Sequence, residues 1–260
     1  PWKHAPGDPD AVSFAKSVVL QGGDTVQFRG GVRYRGSIKT SASGVADSPI
    51  TFKGSGWGTG RAIIEGADAI VSAVPCPSSA SCGGATNWQN LLLVTFNVPT
   101  KTAYIHFFDG LGLMYESLAP TLPDSFLYDD IDNYATIPLS QGPAANAGTI
   151  TNSQLATAAQ GSPYARVLIW VQGNQIEERQ ISSVSGSTVQ FDSTDIKSYD
   201  DRDGKAAIIG SVKAVDTPGE FARIASNKAI VYPRPGGGAI SIGSGRGGFD
   251  IAGKSYVTVT

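Results

Sequence analysis

Apolar residues near the start of the sequence follow the period of an α-helix. Four of them recur at i, i+3, i+4 and i+7: Ala11, Phe14, Ala15 and Val18. Asp8 is a suitable N-cap, Pro9 fits a first helical turn, and the glycines at 22 and 23 end the pattern. The pattern predicts one amphipathic helix within residues 8–23, of the kind that covers the open end of a solenoid.

From residue 24 onward the apolar period changes to two, which is the period of a β-strand. The alternating segments are short and glycine-rich turns separate them: residues 25–28, 32–35, 37–38, 49–52, 62–65 and 70–71. Short strands with frequent turns favour the coils of a parallel β-helix over a β-sandwich, whose strands are usually longer and joined by hairpins.

Residues 86–226 have a different pattern. Apolar runs lengthen at 90–98 and 104–108, and a stretch from the 140s to 159, rich in Ala, Gly, Thr and Asn, predicts a long loop. Three strands follow, separated at 173–174 and 185–186 by dipeptides typical of hairpin turns: residues 166–171, 175–182 and 187–191. This order predicts an antiparallel meander within an inserted β domain.

Short strands then return near the end of the sequence: residues 229–232, 239–242, 249–251 and 256–260. An uncapped solenoid would expose apolar surface and strand edges, so we expect the natural polypeptide to continue beyond Thr260. The predicted fold is all-β, a right-handed parallel β-helix with an N-terminal capping helix and an inserted antiparallel β domain. Its parts are the cap and first coils at 1–85, the insertion at 86–226 and the returning coils at 227–260.

Composition supports a folded β protein and excludes several functions. The 260 residues include 32 glycines, 41% are hydrophobic and only 16% are charged, which argues against disorder. The formal net charge is −2 and basic residues form no run, so we expect no nucleic-acid partner. No apolar run reaches the roughly 20 residues of a membrane span.

The two cysteines, Cys76 and Cys82, lie in a loop rich in Pro and Ser. A zinc site needs four ligands, and no histidine or second cysteine pair is close in sequence. We therefore predict a Cys76–Cys82 disulfide, with two unpaired surface thiols as the alternative. A disulfide indicates an oxidising compartment, so we expect a secreted or extracellular protein. The sequence begins at Pro1 without a visible signal peptide, and we expect an earlier segment to have been removed.

Several segments together resemble a known group of proteins: residues 1–8, 23–31, 34–38, 48–52, 63–68, 216–221, 229–233 and 250–260. They resemble secreted right-handed β-helix repeat proteins of the pectate-lyase-like superfamily. That resemblance implies a protein that works on polysaccharides, in a group that includes lyases, glycoside hydrolases, epimerases, phage tailspikes and non-catalytic adhesins. In the enzymes the catalytic residues generally lie on later coils. The resemblance therefore assigns no catalytic residue within this chain and places them beyond Thr260.

Arginines form the first candidate site. A lyase needs a base and a cation that stabilises the developing enolate. Arg29, Arg33 and Arg35 are close in sequence, and the period of two puts Arg33 and Arg35 on one strand face. The alternative is that all three are solvated residues of an outer face.

Acidic residues near aromatic residues form the second candidate. A glycosidase needs two carboxyl groups. Four aspartates lie close to three aromatic residues that could stack on sugars: Asp124, Asp129, Asp130 and Asp132 beside Phe126, Tyr128 and Tyr134. A polar surface loop is the alternative interpretation.

Three further patterns have weaker specificity. Asp200, Asp201 and Asp203 precede Gly204 as in some calcium loops, but Arg202 interrupts them and the distal Glu of an EF-hand is missing. His4 and His106 are far apart and indicate neither a triad nor zinc. Glycines at 236–238 and 243–248 match no phosphate-binding motif and predict tight turns. We therefore expect no cofactor, with calcium as the one alternative.

Two functional hypotheses follow from the sequence. The first is the N-terminal part of a secreted polysaccharide-degrading enzyme, either a lyase or a glycoside hydrolase, whose partners are a polysaccharide and the rest of its own polypeptide. The second is a non-catalytic extracellular protein, such as an adhesin or a tailspike, in which the β-helix serves as a rigid rod.

Overall fold

The computed structural model describes residues 12–98, 105–121, 131–172, 175–194, 199–243 and 248–260. Its contacts divide the chain into two compact units. Unit 1 comprises the described residues of Pro1–Ala69, Pro99–Ile105 and Ser241–Thr260. Unit 2 comprises those of Ile70–Val98 and His106–Ile240.

Strands are the main elements of both units. The strands in the first part of the chain are β1 (Thr25–Gln27), β2 (Arg33–Arg35), β3 (Ile38–Lys39), β4 (Ile50–Lys53), β5 (Ile63–Glu65), β6 (Ala67–Ala69), β7 (Ser72–Pro75) and β8 (Leu92–Thr95). Those in the middle are β9 (Phe107–Asp109), β10 (Gly112–Leu113), β11 (Tyr115–Glu116), β12 (Leu118–Ala119), β13 (Ala135–Ile137), β14 (Thr149–Thr151), β15 (Arg166–Gln172), β16 (Gln175–Ser185) and β17 (Thr188–Phe191). The remainder are β18 (Gly204–Ile209), β19 (Glu220–Ala225), β20 (Lys228–Val231), β21 (Ser241–Gly243), β22 (Phe249–Asp250) and β23 (Val257–Val259).

The helices are short. The α-helices are α1 (Ser13–Ser17), α2 (Gly142–Asn146) and α3 (Ser153–Ala159). The 3₁₀-helices are Ala80–Cys82, Trp88–Asn90, Ile131–Asn133, Leu139–Gln141 and Val212–Ala214. No helix of the described residues is long and apolar enough to cross a membrane.

The prediction of a helix within residues 8–23 is wrong at its C-terminal end. The helix ends at Ser17, and Val18 already has extended backbone angles. β-Branched residues such as Val18 and Val19 disfavour helix, and the buried Leu20 joins the core of unit 1 from outside the helix. The predicted start, with its capping residue Asp8, lies outside the described residues.

Unit 1 contains three small parallel sheets and one antiparallel pair. β4 lies between β1 and β23, β2 pairs with β5, and β22 pairs with β3, all in parallel, whereas β6 and β21 are antiparallel. Alternate residues turn inward to a core of aliphatic and aromatic side chains: Leu20, Val26, Phe28, Ile38, Ile50 and Phe52. The fold of unit 1 therefore depends on contacts between residues far apart in sequence.

Unit 2 is mainly antiparallel. In one sheet the order of strands is β11-β19-β20-β8-β7, and the pairs from β19 to β7 are antiparallel. A second, entirely antiparallel sheet has the order β12-β18-β15-β16-β17-β14, with β13 also paired to β18. Helix α3 packs against this sheet through Leu155 and Ala156, which lie in its core cluster.

The predicted right-handed parallel β-helix is wrong, and so is the resemblance to the pectate-lyase-like superfamily. The strands form several separate sheets that are mostly antiparallel, not one continuous parallel solenoid. The strand at 229–232, predicted as a returning coil, is β20 and pairs antiparallel with β19 and β8. The pattern predicted strands but gave no information about strand direction, because short strands and glycine turns occur in both arrangements.

Within residues 166–191 the antiparallel meander is confirmed. β15, β16 and β17 pair in sequence, and their bounds lie within three residues of those predicted. Gly186 has a φ of 57° in the second turn, a backbone conformation that glycine adopts without steric cost. The turn at 173–174 lies outside the described residues.

The long loop predicted up to residue 159 is wrong, because this stretch contains α2, β14 and α3. The side chain of Asn152 caps α3 by accepting hydrogen bonds from the N–H groups of Gln154 (3.0 Å) and Leu155 (3.1 Å). Alanine, the commonest residue of α3, has the highest helix propensity. A capping Asn before an alanine-rich segment was therefore a usable signal for this helix.

Cys76 and Cys82 form a disulfide, as predicted. Both cysteines are buried in a core cluster that also contains Leu91, Val212 and Ile230. The bridge therefore fixes the loop that follows β7 against the interior of unit 2 and does not lie on its surface.

A buried ion pair closes the loop after β20. Arg234 donates to both carboxylate oxygens of Asp109, from Nε to Oδ2 (2.9 Å) and from Nη2 to Oδ1 (2.6 Å), and Nη2 also donates to the carbonyl of Gly112 (2.9 Å). The Asp109 side chain is only 2% exposed. A Cβ added at Gly237 would lie 2.4 Å from Asp109 Oδ2, so glycine is required there. The pair joins segments that are 125 residues apart.

We expect Arg234→Met to destabilise the protein by about 3–5 kcal/mol, because it leaves a buried carboxylate without its cation. The double variant Asp109→Asn with Arg234→Met should lose less stability than the sum of the two single variants. Chemical denaturation of the four proteins measures both quantities. Additive effects would show that the two side chains do not depend on each other.

Candidate functional site

The exposed face of β2 and β5 carries the charged residues of the candidate site. In the parallel register Arg33 lies opposite Ile63 and Arg35 lies opposite Glu65. The intervening residues, Tyr34 and Ile64, pack against the core of unit 1. Because side chains alternate along a strand, this inward packing turns both arginines and Glu65 outward.

Glu65 is the centre of this face. Its Oε1 accepts hydrogen bonds from Arg33 Nη1 (3.4 Å) and from the hydroxyl of Ser241 (3.1 Å). Arg35 Nε lies 3.6 Å from Oε2, which is an ion pair but not a hydrogen bond. Two guanidinium groups and one hydroxyl therefore surround a single carboxylate. We call Arg33, Arg35, Glu65 and Ser241 the Glu65 cluster.

The Glu65 cluster has an unusual balance of exposure and hydrogen bonding. The arginine side chains are 40% and 44% exposed, whereas that of Glu65 is 10% exposed. Oε2 of Glu65 is buried without a hydrogen-bond partner. Buried carboxylate oxygens normally accept hydrogen bonds, and an unsatisfied one is costly. The cluster thus offers the exposed guanidinium groups of Arg33 and Arg35 to a polar molecule on this face, and the buried carboxylate of Glu65 holds both groups in place.

The sequence correctly placed Arg33 and Arg35 on one strand face, but Arg29 is not part of the cluster. Arg29 is exposed, and its backbone N–H donates to the hydroxyl of Tyr34 (2.9 Å). Glu65 and Ser241 were missed as members, because their proximity to the arginines depends on pairing between distant strands. The available signal for Glu65 was a carboxylate at an alternating position of the predicted strand at 62–65.

Unit 2 contains a second charged network that the sequence did not predict. Arg166 on β15 donates from Nη2 to Glu116 Oε2 (2.5 Å) and from Nε to Glu178 Oε1 (2.6 Å). Burial lowers the pKa of Arg166, but the hydrogen bonds and charges of the two glutamates outweigh it and raise the pKa. Both carboxylates are therefore held by one permanently charged cation.

Glu220 is a buried carboxyl group with a raised pKa. Its Oε2 accepts hydrogen bonds from the N–H groups of Asp216 (3.0 Å) and Thr217 (2.9 Å), and the residue is 3% exposed. Burial raises the pKa of Glu220 to about 7, although these two hydrogen bonds lower it. The negative charge of Asp216 adds to the increase. With so little exposed surface, Glu220 holds the turn before β19 and is not accessible to a polymer.

The predicted acidic and aromatic cluster is not supported as a group by the residues that are described. Asp124, Asp129, Asp130, Phe126 and Tyr128 lie outside the described residues. Asp132 is exposed, and Tyr134 is 3% exposed and packs edge-to-face on Trp170 with ring centroids 5.6 Å apart. Tyr134 therefore belongs to the core of unit 2 and does not present a ring to sugars.

The carboxylates predicted as calcium ligands have separate partners. Asp201 accepts two hydrogen bonds from Arg202, each 3.0 Å long, and Asp203 accepts one from the N–H of Leu139 (2.8 Å). Asp200 is exposed. The described residues contain no group of three or more His, Cys, Asp or Glu side chains arranged to hold a metal ion.

The remaining predicted features are dispersed. His106 is exposed, and His4 lies outside the described residues. The glycines at 236–238 form a turn in which Gly236 and Gly238 have positive φ. Most of the glycine-rich segment at 243–248 lies outside the described residues.

Comparison with known proteins gives one structural likeness. No protein-family model matches the sequence, and no curated protein matches it. Among solved structures, a chain described as a glycoside hydrolase is similar, with a TM-score of 0.50 and 12% sequence identity. The alignment covers 85% of the present chain and 38% of the other chain. At this identity the likeness is one of fold alone.

We expect the stability of the protein to depend on pH through Glu220. Because its pKa is higher in the folded protein (about 7) than the ordinary value of 4.5, folding favours the protonated form. Glu220 therefore contributes its full stabilisation below about pH 4.5. This contribution to the free energy of unfolding, at most about 3 kcal/mol, is lost as the pH rises through 7.

The Glu220→Gln variant, which stays neutral, should not show this loss. Between pH 4 and pH 8 the free energy of unfolding should therefore fall more for the wild type than for the variant. Asp192→Asn, a change at an exposed carboxyl of the same unit, is the matched control. A difference that stays constant with pH would contradict the assignment.

Proposed function

We propose that this chain is part of a secreted carbohydrate-active protein, and that the Glu65 cluster on the outer face of β2 and β5 binds its polysaccharide. The observation that carries the proposal is the exposed pair of guanidinium groups held around the nearly buried carboxylate of Glu65. The fold likeness to a chain described as a glycoside hydrolase supports the polysaccharide as the ligand class.

The chemistry of the Glu65 cluster suits a polyhydroxylated ligand. A guanidinium group presents several N–H donors in a fixed plane, which match hydroxyl or carboxylate oxygens of a sugar. Sugar oxygens would accept hydrogen bonds from the exposed guanidinium groups, while the buried carboxylate of Glu65 holds these groups in place. Arg35 is 44% exposed and makes only an ion pair with Glu65 through Nε, which leaves its terminal nitrogens available within the described contacts.

Export from the cytoplasm is part of the proposal. A disulfide in a small loop persists in oxidising compartments and is rare in reducing ones. A secreted protein meets the polysaccharides of cell walls and extracellular matrices, so export and a polysaccharide ligand are compatible.

We assign no hydrolysis to this face. A glycosidase needs two carboxyl groups on either side of the scissile bond. The described partners of Glu65 are two arginines and a serine, and none of them is a second carboxyl. This same observation favours a second candidate function, a non-catalytic extracellular protein that binds a polysaccharide without cleaving it.

We expect the wild-type chain to bind a soluble polysaccharide and Arg35→Gln to weaken that binding about tenfold. The loss corresponds to one charge-assisted hydrogen bond of about 1.5 kcal/mol. Affinity electrophoresis and titration calorimetry with a polyuronate and a neutral β-glucan measure the affinity. Lys39→Gln is the matched control, because it removes one positive charge from an exposed residue of the same unit outside the cluster.

Three results would count against the proposal: no binding of either polysaccharide, equal affinities for wild type and Arg35→Gln, or equal losses in the two variants. Equal losses would show a general charge effect and not a site. New reducing ends, released from the polysaccharide by the protein, would favour the hydrolase over the non-catalytic alternative. Binding without release would favour the latter.

A further inference from the structure

Tyr256 has a backbone conformation that a bulky residue rarely adopts. Its φ is 55°, and it is the non-glycine residue with positive φ among those described. In this left-handed region the Cβ of an L-amino acid approaches the following carbonyl, so only glycine, and to a lesser degree asparagine and aspartate, enters it readily. A tyrosine at this position is therefore less favourable for folding than a glycine.

Close packing on both sides maintains this conformation. The carbonyl of Tyr256 accepts a hydrogen bond from the N–H of Ile50 (3.0 Å), and the carbonyl of Ser255 accepts one from the N–H of Gly44 (3.1 Å). The N–H of Ser255 donates to the hydroxyl of Ser43 (3.2 Å). A Cβ on Gly44 would lie 2.6 Å from the carbonyl oxygen of Tyr256. The neighbouring backbone thus determines the φ at position 256, whichever side chain is present.

The side chain of Tyr256 does not compensate by packing in the core. It is 55% exposed, whereas the next residue, Val257, packs against the core of unit 1. Its hydroxyl has no hydrogen-bond partner among the described residues. Neither burial nor hydrogen bonding explains why a tyrosine occupies a position that favours glycine. Strained residues are concentrated at binding and catalytic sites.

Polar residues lie near the backbone of Tyr256. Ser255 precedes it and donates from its N–H to the hydroxyl of Ser43 (3.2 Å), and Lys254 donates from Nζ to the carbonyl of Ser41 (3.0 Å). An exposed aromatic ring with hydroxyl-bearing residues nearby in the fold suits a ligand that has both apolar C–H faces and many hydroxyls. A sugar ring has both features.

We propose that Tyr256 is a stacking platform for a sugar residue of the polysaccharide, which makes it a subsite separate from the Glu65 cluster. This inference rests on the proposed function, because a stacking subsite requires that the chain binds a glycan. The ring provides an apolar face for one side of the sugar, and its hydroxyl and the adjacent serines serve as hydrogen-bond partners at the edge. A tyrosine is retained at this unfavourable position because its exposed ring is available to the ligand.

The test separates stability from binding. Tyr256→Gly should raise the melting temperature or leave it unchanged, since it relieves the strained φ and loses little buried surface. The same variant should weaken binding of whichever of the two polysaccharides, the polyuronate or the β-glucan, the wild type binds, by roughly five- to tenfold. Tyr256→Phe should keep most of the affinity. Trp57→Ala removes another exposed aromatic side chain of unit 1 and should change neither quantity appreciably.

Unchanged affinity in Tyr256→Gly would overturn the proposal, as would a large fall in its melting temperature, because that would show that the ring stabilises the fold. A concentration-dependent dimer of the wild type that Tyr256→Gly abolishes, measured by analytical ultracentrifugation, would assign the ring to self-association and also overturn it. Failure of the wild type to bind any polysaccharide would instead refute the proposed function. The two failures are therefore distinguishable.

Discussion

Packing of aromatic side chains between very short strands is the interaction on which unit 1 depends. Strands of two to four residues make few hydrogen bonds, so they are held mainly by the apolar side chains that they turn inward. Phe52 stacks on Phe28 with ring centroids 6.5 Å apart and meets Phe249 edge-to-face at 5.3 Å. Because a strand alternates, each inward residue determines what faces outward, and the positions of Arg33, Arg35 and Glu65 follow from the burial of their neighbours.

Unit 2 joins distant segments with a different type of interaction. Arg234 and Asp109 are 125 residues apart, and Arg166 and Glu116 are 50 apart, yet both pairs form charge-assisted hydrogen bonds in partly or fully buried positions. Such pairs contribute little net stability compared with a well-packed apolar pair, but losing one partner is costly. They therefore contribute more to the specificity of the strand arrangement than to the net stability of the protein. The antiparallel sheets and their hydrophobic core provide most of the stability.

Local patterns in the sequence predicted strands well and their partners poorly. The segments at 25–28, 32–35 and 49–52 contain β1, β2 and most of β4, because alternation of apolar residues is a property of each strand alone. Direction and partner depend on contacts between distant residues, which is why residues 229–232 were assigned to a parallel coil although β20 is antiparallel. The same limit applies to the Glu65 cluster. Alternation along one strand predicted that Arg33 and Arg35 share a face, whereas the positions of Glu65 and Ser241 depend on the tertiary fold. No local pattern predicted the charged network of unit 2, because its members lie on three different strands: Glu116, Arg166 and Glu178.

The residues that stability alone does not explain are the best guide to function. Glu220 is a buried acid, but two backbone N–H groups bind it and its role in a turn accounts for it. Glu65 has a buried oxygen without a hydrogen bond, although both neighbouring guanidinium groups are exposed. Tyr256 has a left-handed backbone, although its ring is exposed and glycine would fit better. A sequence usually agrees with its fold at every level, and departures are expected where a ligand provides the missing interaction. Both unexplained residues belong to unit 1, and a glycan would supply hydroxyl oxygens to the arginines around Glu65 and an apolar ring face to Tyr256.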